Sequence, residues 1–442
     1  MSRSDGWALA LGALVLAACG SSAPLATPTA TATTDPARSI ESAAPQSTTP
    51  LPVSFLPGAG VVAEAGFADW QGQRVGLIAN QASVVDGTHT ADLFAASDVV
   101  DLVALFSPEH GLRGDRAAGE WVPDEIDPIT GRTVHSLYGE TRSPQPAALE
   151  DLDVLFYDLQ DVGARYYTYI STMGLAMQAA AAHDVEFVVL DRPNPLGPQV
   201  AGNVLAEGAE SFVGMYPIPD LYGLSAGELA QAIVGEEWLD GLGSLRLTVI
   251  PYEHDAANLS WPESAGWVPP SPAIGSIETA RLYPATVLFE ATSLSYGRGT
   301  DTPFEVIGAP WIDERELART LTDLGLAGVS FEPIRFTPRA EPAVEIAHAG
   351  VEVGGVRLRL TDEEQFHPAT TGVQVLAAVH ELAPEDIIDR PEWLRRLSGS
   401  SALGDHLREG RPISTLIGSW DEPLATYEQT IRPYRIYPPA AR

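Results

Sequence analysis

The amino-acid sequence predicts an α/β fold built on a mostly parallel β-sheet, and three observations carry that prediction. Four short apolar runs in the first half of the chain, Arg74–Asn80, Val99–His110, Asp153–Asp161 and Glu186–Asn194, are continuous rather than alternating, as strands buried on both faces are. The segments between them have helical composition, which suits the crossover connections that parallel strands need. Each run ends abruptly in a polar cluster, and in open α/β sheets ligands gather beyond the carboxyl ends of the strands. Glu109, His110, Gln160, Asp161, Asp191 and Asn194 all fall there.

The remaining elements follow in order. Tyr167–His183 carries apolar residues at helical spacing and predicts the helix that crosses back between the third and fourth strands. A helix over Ser225–Glu237 and strands over Leu245–Tyr252 and Thr286–Glu290 bring the sheet to about six strands. From Pro303 the elements shorten: a helix over Glu314–Leu324, strands at Val329–Phe336 and Val356–Thr361, and a helix over Thr371–Leu382. Residues 53–302 therefore read as the main, site-bearing subdomain and 303–442 as a second, smaller α+β subdomain.

The amino terminus has a different character. Trp7–Ala18 is too short an apolar stretch to span a bilayer but suits the core of a signal peptide, and Leu16-Ala17-Ala18-Cys19-Gly20 looks like a bacterial lipobox. Cys19 is the only cysteine in the chain, which excludes an intramolecular disulfide and gives the thiol a use in lipid attachment. Residues 20–52 are dominated by Ser, Thr, Ala and Pro, a composition that buries too little apolar surface to fold and reads as a tether. The expected location is the outer face of the cytoplasmic membrane, held there by the amino-terminal lipid alone.

Charge narrows the partners further. The 442 residues hold 59 acidic side chains against 26 basic ones, a formal charge of −33, and no lysine. Nucleic acid is excluded as a partner on that balance. The chain has no Walker loop, no G-x-G-x-x-G after the first strand, no H-E-x-x-H and no cysteine pair, so it predicts no cofactor. His89, His110 and His135 with Glu109 match no metal-ligand spacing.

Gly223-Leu224-Ser225-Ala226-Gly227 fits the G-x-S-x-G pattern formally, but Pro217 and Pro219 rule out the strand that a nucleophile elbow needs. Ser225 with Glu228 three residues on reads instead as a capping box opening a helix. Phe106–Asp115 differs in kind. Pro108 and Gly111 set a turn that presents Glu109 and His110 at a strand's carboxyl end, with Arg113 and Asp115 close by, a position suited to proton transfer. In Asp158–Tyr169, Arg165 precedes Tyr166, Tyr167 and Tyr169, and aromatic rings at a sheet mouth stack on sugar faces. Prolines stiffen Asp191–Pro195 and Trp267–Pro272, and Arg298 sits between two glycines in Ser295–Asp301.

These motifs together resemble the exo-acting β-N-acetylmuramidase (NamZ-like) family of peptidoglycan hexosaminidases, formerly a domain of unknown function. The resemblance runs from about Val62 to Leu397. It is carried by Gly76–Val84, Phe106–Asp115, Ser136–Gly139, Asp158–Met173, Val189–Gly197, Trp267–Pro272 and Tyr283–Trp311. It implies a Rossmann-like larger subdomain, a site in the cleft between subdomains, release of N-acetylmuramic acid from the non-reducing end of peptidoglycan fragments, and Glu109 as the leading catalytic residue. Where the family is expected to carry Arg-His-Gly, this chain has Leu221-Tyr222-Gly223.

The expected chemistry has Glu109 protonating the glycosidic oxygen. Asp161, Asp191 or Glu290 would activate water, with Asp161 preferred, unless the substrate's own acetamido group takes part. Arg165 or Arg298 would pair with the lactyl carboxylate of muramic acid, and Asn80, His110, Arg113, Gln160, Tyr167, Asp191, Asn194 and Glu290 complete the expected substrate contacts. A solute-binding lipoprotein with the same leader and cleft is the rival reading, and a metal-dependent amidase a third. The oligomeric state is not legible in the sequence.

Overall fold

The structure is a computed structural model that describes residues 55–437 except 117–118, 140, 255–260 and 262–265. The leader, Cys19 and the tether lie outside the described residues. Seven strands form the large sheet: β1 (Arg74–Ala79), β2 (Asp101–Ser107), β3 (Glu125–Ile126), β4 (Thr133–Ser136), β5 (Val154–Asp158), β6 (Glu186–Leu190) and β7 (Leu247–Ile250). Their order is β7-β6-β5-β1-β2-β4-β3, parallel throughout except for the β3–β4 pair at one edge. The chain starts at the centre, builds out through β2 and β4, then returns to the other side of β1 with β5. The carboxyl ends of β1, β2 and β5 therefore face a topological switch point.

The continuous apolar runs are explained by burial on both faces. Val75, Leu77 and Ala79 of β1 join a cluster with Phe94, Leu102, Phe156 and Val188, beneath the short helices Gly58–Glu64 and α1 (Thr90–Ala95). Ile78, Phe106, Tyr157 and Phe187 point the opposite way. They pack with α2 (Tyr169–Ala182), the helix between β5 and β6, and with α3 (Ala226–Gly235). That second cluster continues without a break to Ile431. It passes through a three-stranded antiparallel sheet of β8 (Val306–Ala309), β9 (Val329–Phe336) and β10 (Val353–Leu360) and the helices around it.

One expected strand is a helix. Ile277–Thr286 forms α4, capped by Ser276 accepting from the Thr279 amide, and Val287–Ala291 continues it as a 3₁₀ turn. The Thr286–Glu290 run is nearly all buried, so it carries no periodicity to tell a buried helix end from a buried strand. The sheet still reaches seven strands because β3 and β4, too short to show a pattern, extend its edge. In the later part, α5 (Glu314–Asp323) and α6 (Pro368–Leu382) lie where their periodicity predicts, followed by α7 (Pro391–Ser398).

Candidate active site

Most polar residues at the strand ends are consumed by the fold. Asp158, the last residue of β5, takes a two-pronged bond from Arg192 at 2.5 and 3.0 Å and a third from the Thr90 hydroxyl at 2.6 Å. Asp191 accepts from Ser225 Oγ (2.6 Å), the Gly227 amide (2.9 Å) and Tyr437 Oη (2.9 Å), and burial pushes its carboxyl up to about 7. Ser225 also accepts from the Glu228 amide while Glu228 accepts from the Ser225 amide, so the G-x-S-x-G pattern is a complete capping box for α3. Glu228's other oxygen receives the Ile436 and Tyr437 amides.

The same holds for several residues expected to meet substrate. Asp161, the expected second catalytic group, is buried at the end of β5, accepts from Tyr222 Oη and the Gly163 amide, and does not line the cavity described below. Removal from water pushes its carboxyl up to about 7 despite those two donors. Gln160 donates to the Asp161 and Pro193 carbonyls, and Asn194 braces Leu196 and Leu224. Arg165 is fully buried against Asp220 (2.5 Å) and the Leu397 carbonyl (3.0 Å), while Arg113 bridges Asp92 and Asp127. Asn80 donates to Tyr169 Oη and the Pro270 carbonyl, supporting the cavity wall from behind. These seven side chains, Asp191 included, were singled out for their places in the strand-end motifs, but each is bonded within the protein, with only Asp161 Oδ1 and Arg165 Nε and Nη1 left unbonded among the described residues. Leu221 and Tyr222 are likewise fully buried, so the departure from the expected Arg-His lies in the core.

Five expected residues come together: Glu109, His110, Tyr167, Glu290 and Arg298 line one cavity of about 380 Å³. Its floor is built by the turn after β2. His110 (φ +78°) and Gly111 (φ +77°) are both left-handed, which folds the chain back so that the His110 ring meets the Arg116 carbonyl at 3.3 Å. A bulky residue held at positive φ is costly, and such strain collects at functional sites. Burial lowers the affinity of His110 for a proton, so its imidazole is neutral at pH 7. Glu109 Oε1 accepts from the Gly119 amide at 2.8 Å, and burial together with the nearby Glu109 charge raises the Tyr138 phenol above its ordinary range.

The walls are aromatic. Tyr167 stands edge-on to Tyr169 (4.9 Å between centroids), and Tyr283 stands edge-on to Tyr166 (5.5 Å) and Phe304 (4.8 Å). Tyr169 Oη donates to the Pro270 carbonyl at 2.6 Å, which joins this wall to the proline-rich segment expected to stiffen it. Glu290 enters from the 3₁₀ turn after α4 and accepts from Trp393 Nε1 of α7 at 3.3 Å. Burial raises its carboxyl above the ordinary range, Arg298 opposes the rise, and the charge of Glu109 adds to it. Arg298 is aimed by Gly297 (φ +84°) and Gly299 (φ +77°), and its buried Nε has no hydrogen-bond partner among the described residues.

Sequence reasoning missed Arg142, Phe212, Trp393 and Arg396, which also line the cavity. They sit in loops or on a distant helix where no pattern marks them. Tyr138 was visible only as part of the Ser136–Gly139 motif. Among the described residues no three His, Cys, Asp or Glu side chains gather closely enough to hold a metal ion. His89 instead caps α1 and meets the Asn80 carbonyl, and His135 pairs with Asp124. A hollow with two carboxyls, a neutral imidazole, a guanidinium with an unbonded Nε and edge-on aromatic rings is equipped for acid–base cleavage of a polar, ring-shaped substrate.

Comparison with known proteins agrees with this geometry. Residues 75–278 match the family described as "Exo-beta-N-acetylmuramidase NamZ, N-terminal", and residues 281–437 its C-terminal counterpart. The chain is 40% identical over 375 residues to the peptidoglycan β-N-acetylmuramidase NamZ of Bacillus subtilis, covering 83% of this chain and 87% of that protein. Two crystal structures of DUF1343 family proteins from Bacteroides fragilis superpose with TM-scores of 0.79 and 0.72, at 34% and 30% identity. Each comparison covers 87% of this chain and 99% of the other.

Proposed function

This chain belongs to the exo-β-N-acetylmuramidase NamZ family, and from that premise we propose that it is a glycoside hydrolase releasing N-acetylmuramic acid from the non-reducing ends of peptidoglycan fragments. The observation that carries the reading is the pair Glu109 and Glu290 on one tyrosine-walled cavity. Burial raises the Glu290 carboxyl above its ordinary range, with the Glu109 charge a small addition, so the two acids on this cavity have unlike surroundings. Glu109 is the group placed to deliver a proton to the glycosidic oxygen, and Glu290 takes the role first given to Asp161, drawing a proton from the attacking water. The Gly119 amide holds Glu109 in place.

Arg298 supplies the specificity. Its guanidinium, whose buried Nε is unbonded among the described residues, suits a two-pronged contact with the lactyl carboxylate that separates muramic acid from glucosamine. The reading is tested with an aryl β-N-acetylmuramide and the matching N-acetylglucosaminide: turnover of the first and little of the second is expected, unchanged by chelator. Tight binding of either sugar without turnover would reject it in favour of a solute-binding protein.

Residues 1–19 are proposed as a lipoprotein signal ending in Cys19, and 20–52 as a tether that carries the 53–302 and 303–442 subdomains away from the membrane. Cys19→Ala is expected to move the protein from the membrane fraction to the medium. Retention of that variant on membranes would sink the lipid-anchor assignment.

A further inference from the structure

Three hollows lie in a row. The cavity of Glu109 and Glu290 shares Ala273 and Arg298 with a second hollow of about 530 Å³, and Arg142, Ser211 and Phe212 with a third of about 630 Å³. The second and third have no lining residue in common. If the central cavity holds the sugar whose bond breaks, one neighbour receives the leaving group and the other faces the ring's far side.

Contacts identify the leaving-group side. Gly119, whose amide binds Glu109, packs against the Ala343 carbonyl, and Glu341, bridged to Val344, accepts from the Gly299 amide beside Arg298. Glu341 and Arg298 line the second hollow. The loop that holds the proton donor thus touches the segment lining the second hollow, and no residue of that segment lines the third.

The wall towards the third hollow is thin. Ser211 and Gly214 exchange backbone hydrogen bonds of 2.9 and 3.0 Å, which leaves Phe212 and Val213 at the tip of a tight turn. The Arg142 guanidinium lies 4.1 Å above the Phe212 ring. Behind the pair, Leu175, Met215, Trp238 and Leu239 offer an apolar surface, with Gln178 and Asp240 beside it. A sugar ring needs that combination of an apolar face and hydroxyl partners.

We propose that the Arg142–Phe212 pair is the end wall that confines cleavage to a terminal sugar, and that removing it opens the third hollow as a site for one further N-acetylhexosamine. The inference rests on the muramidase reading above and adds the residues that make the action exo.

The test uses an aryl β-N-acetylmuramide and its counterpart extended at O4 by one N-acetylhexosamine, with wild type, Phe212→Ala, Arg142→Ala and the double variant. The readout is the ratio of kcat/KM on the extended substrate to that on the terminal one, with thermal melting to certify folding. Wild type should cleave only the terminal substrate, and the ratio should rise by about tenfold or more in Phe212→Ala and furthest in the double variant. Should Phe212→Ala not fold, Arg142→Ala, whose side chain is exposed, carries the test with the same direction of change. A folded variant with an unchanged ratio overturns the end wall, as does a wild type that already cleaves the extended substrate. A wild type inactive on both substrates overturns the muramidase reading instead, and the end wall with it.

Discussion

Two groups of carboxyls stand at the same edge of this protein and have opposite fates. Asp158 ends β5, Asp191 follows β6 and Asp161 lies three residues beyond β5; all three are buried under arginine, hydroxyl or amide donors, which leave only Asp161 Oδ1 unbonded among the described residues. Glu109 and Glu290 are reached through turns that leave the strand direction, and each keeps one side open to the cavity. The difference teaches that position at a strand's carboxyl end nominates a residue, while the supply of partners decides whether it meets ligand or lattice. A carboxylate whose lone pairs are filled by the protein holds the edge together. One left partly unfilled can exchange a proton with something else.

The comparison can be broken at either group. Asp158→Ala should have the largest effect, about 3–5 kcal/mol of unfolding free energy in a denaturant titration, because it strands Arg192 as an uncompensated buried charge. A loss below about 1 kcal/mol would show that Asp158 is not part of the frame. Glu109→Gln should lower kcat by about a hundredfold or more while the melting temperature stays near that of wild type. Near-normal turnover would remove Glu109 from the chemistry. Arg298→Ala should raise KM for the aryl muramide by about tenfold or more and leave the glucosaminide unaffected, the size of a charge-assisted hydrogen bond. Equal losses on both sugars would mean that Arg298 does not read the lactyl group.

The smallest effect concerns pH. Asp161 keeps its proton in the folded protein up to about 7, whereas the unfolded chain releases it near the ordinary carboxylate value of about 4. Between those two values the folded state holds more protons, so this group's contribution to stability falls as pH rises and levels off above 7. Asp161→Asn should therefore flatten part of the decline in melting temperature between pH 5 and pH 8. An identical slope in both proteins would show that Asp161 is ionised in the fold.

Much of the main sheet was legible because β1, β2, β5 and β6 are buried on both faces and leave continuous apolar runs. The Ser225–Glu228 cap was legible because its chemistry is local. The strand expected over Thr286–Glu290 failed for the complementary reason: total burial erases the period that separates helix from strand. At the site, Glu109 and His110 could be read from Pro108 and Gly111, which mark the turn, and Arg298 from its flanking glycines. Asp161 misled because its partner Tyr222 lies 61 positions away and no local pattern announces the bond. Phe212 and Trp393 were invisible because a loop and a helix from distant parts of the chain bring them to the cavity.

Tyr437 closes the Asp191 carboxylate from above, and its amide and that of Ile436 fill Glu228. Two acids near the middle of the chain thus wait for residues synthesised some 200 positions later. The edge of the sheet beside α3 is complete only with those residues docked. Formation of this region therefore needs the segment around Tyr437 in place, not the amino-terminal half alone.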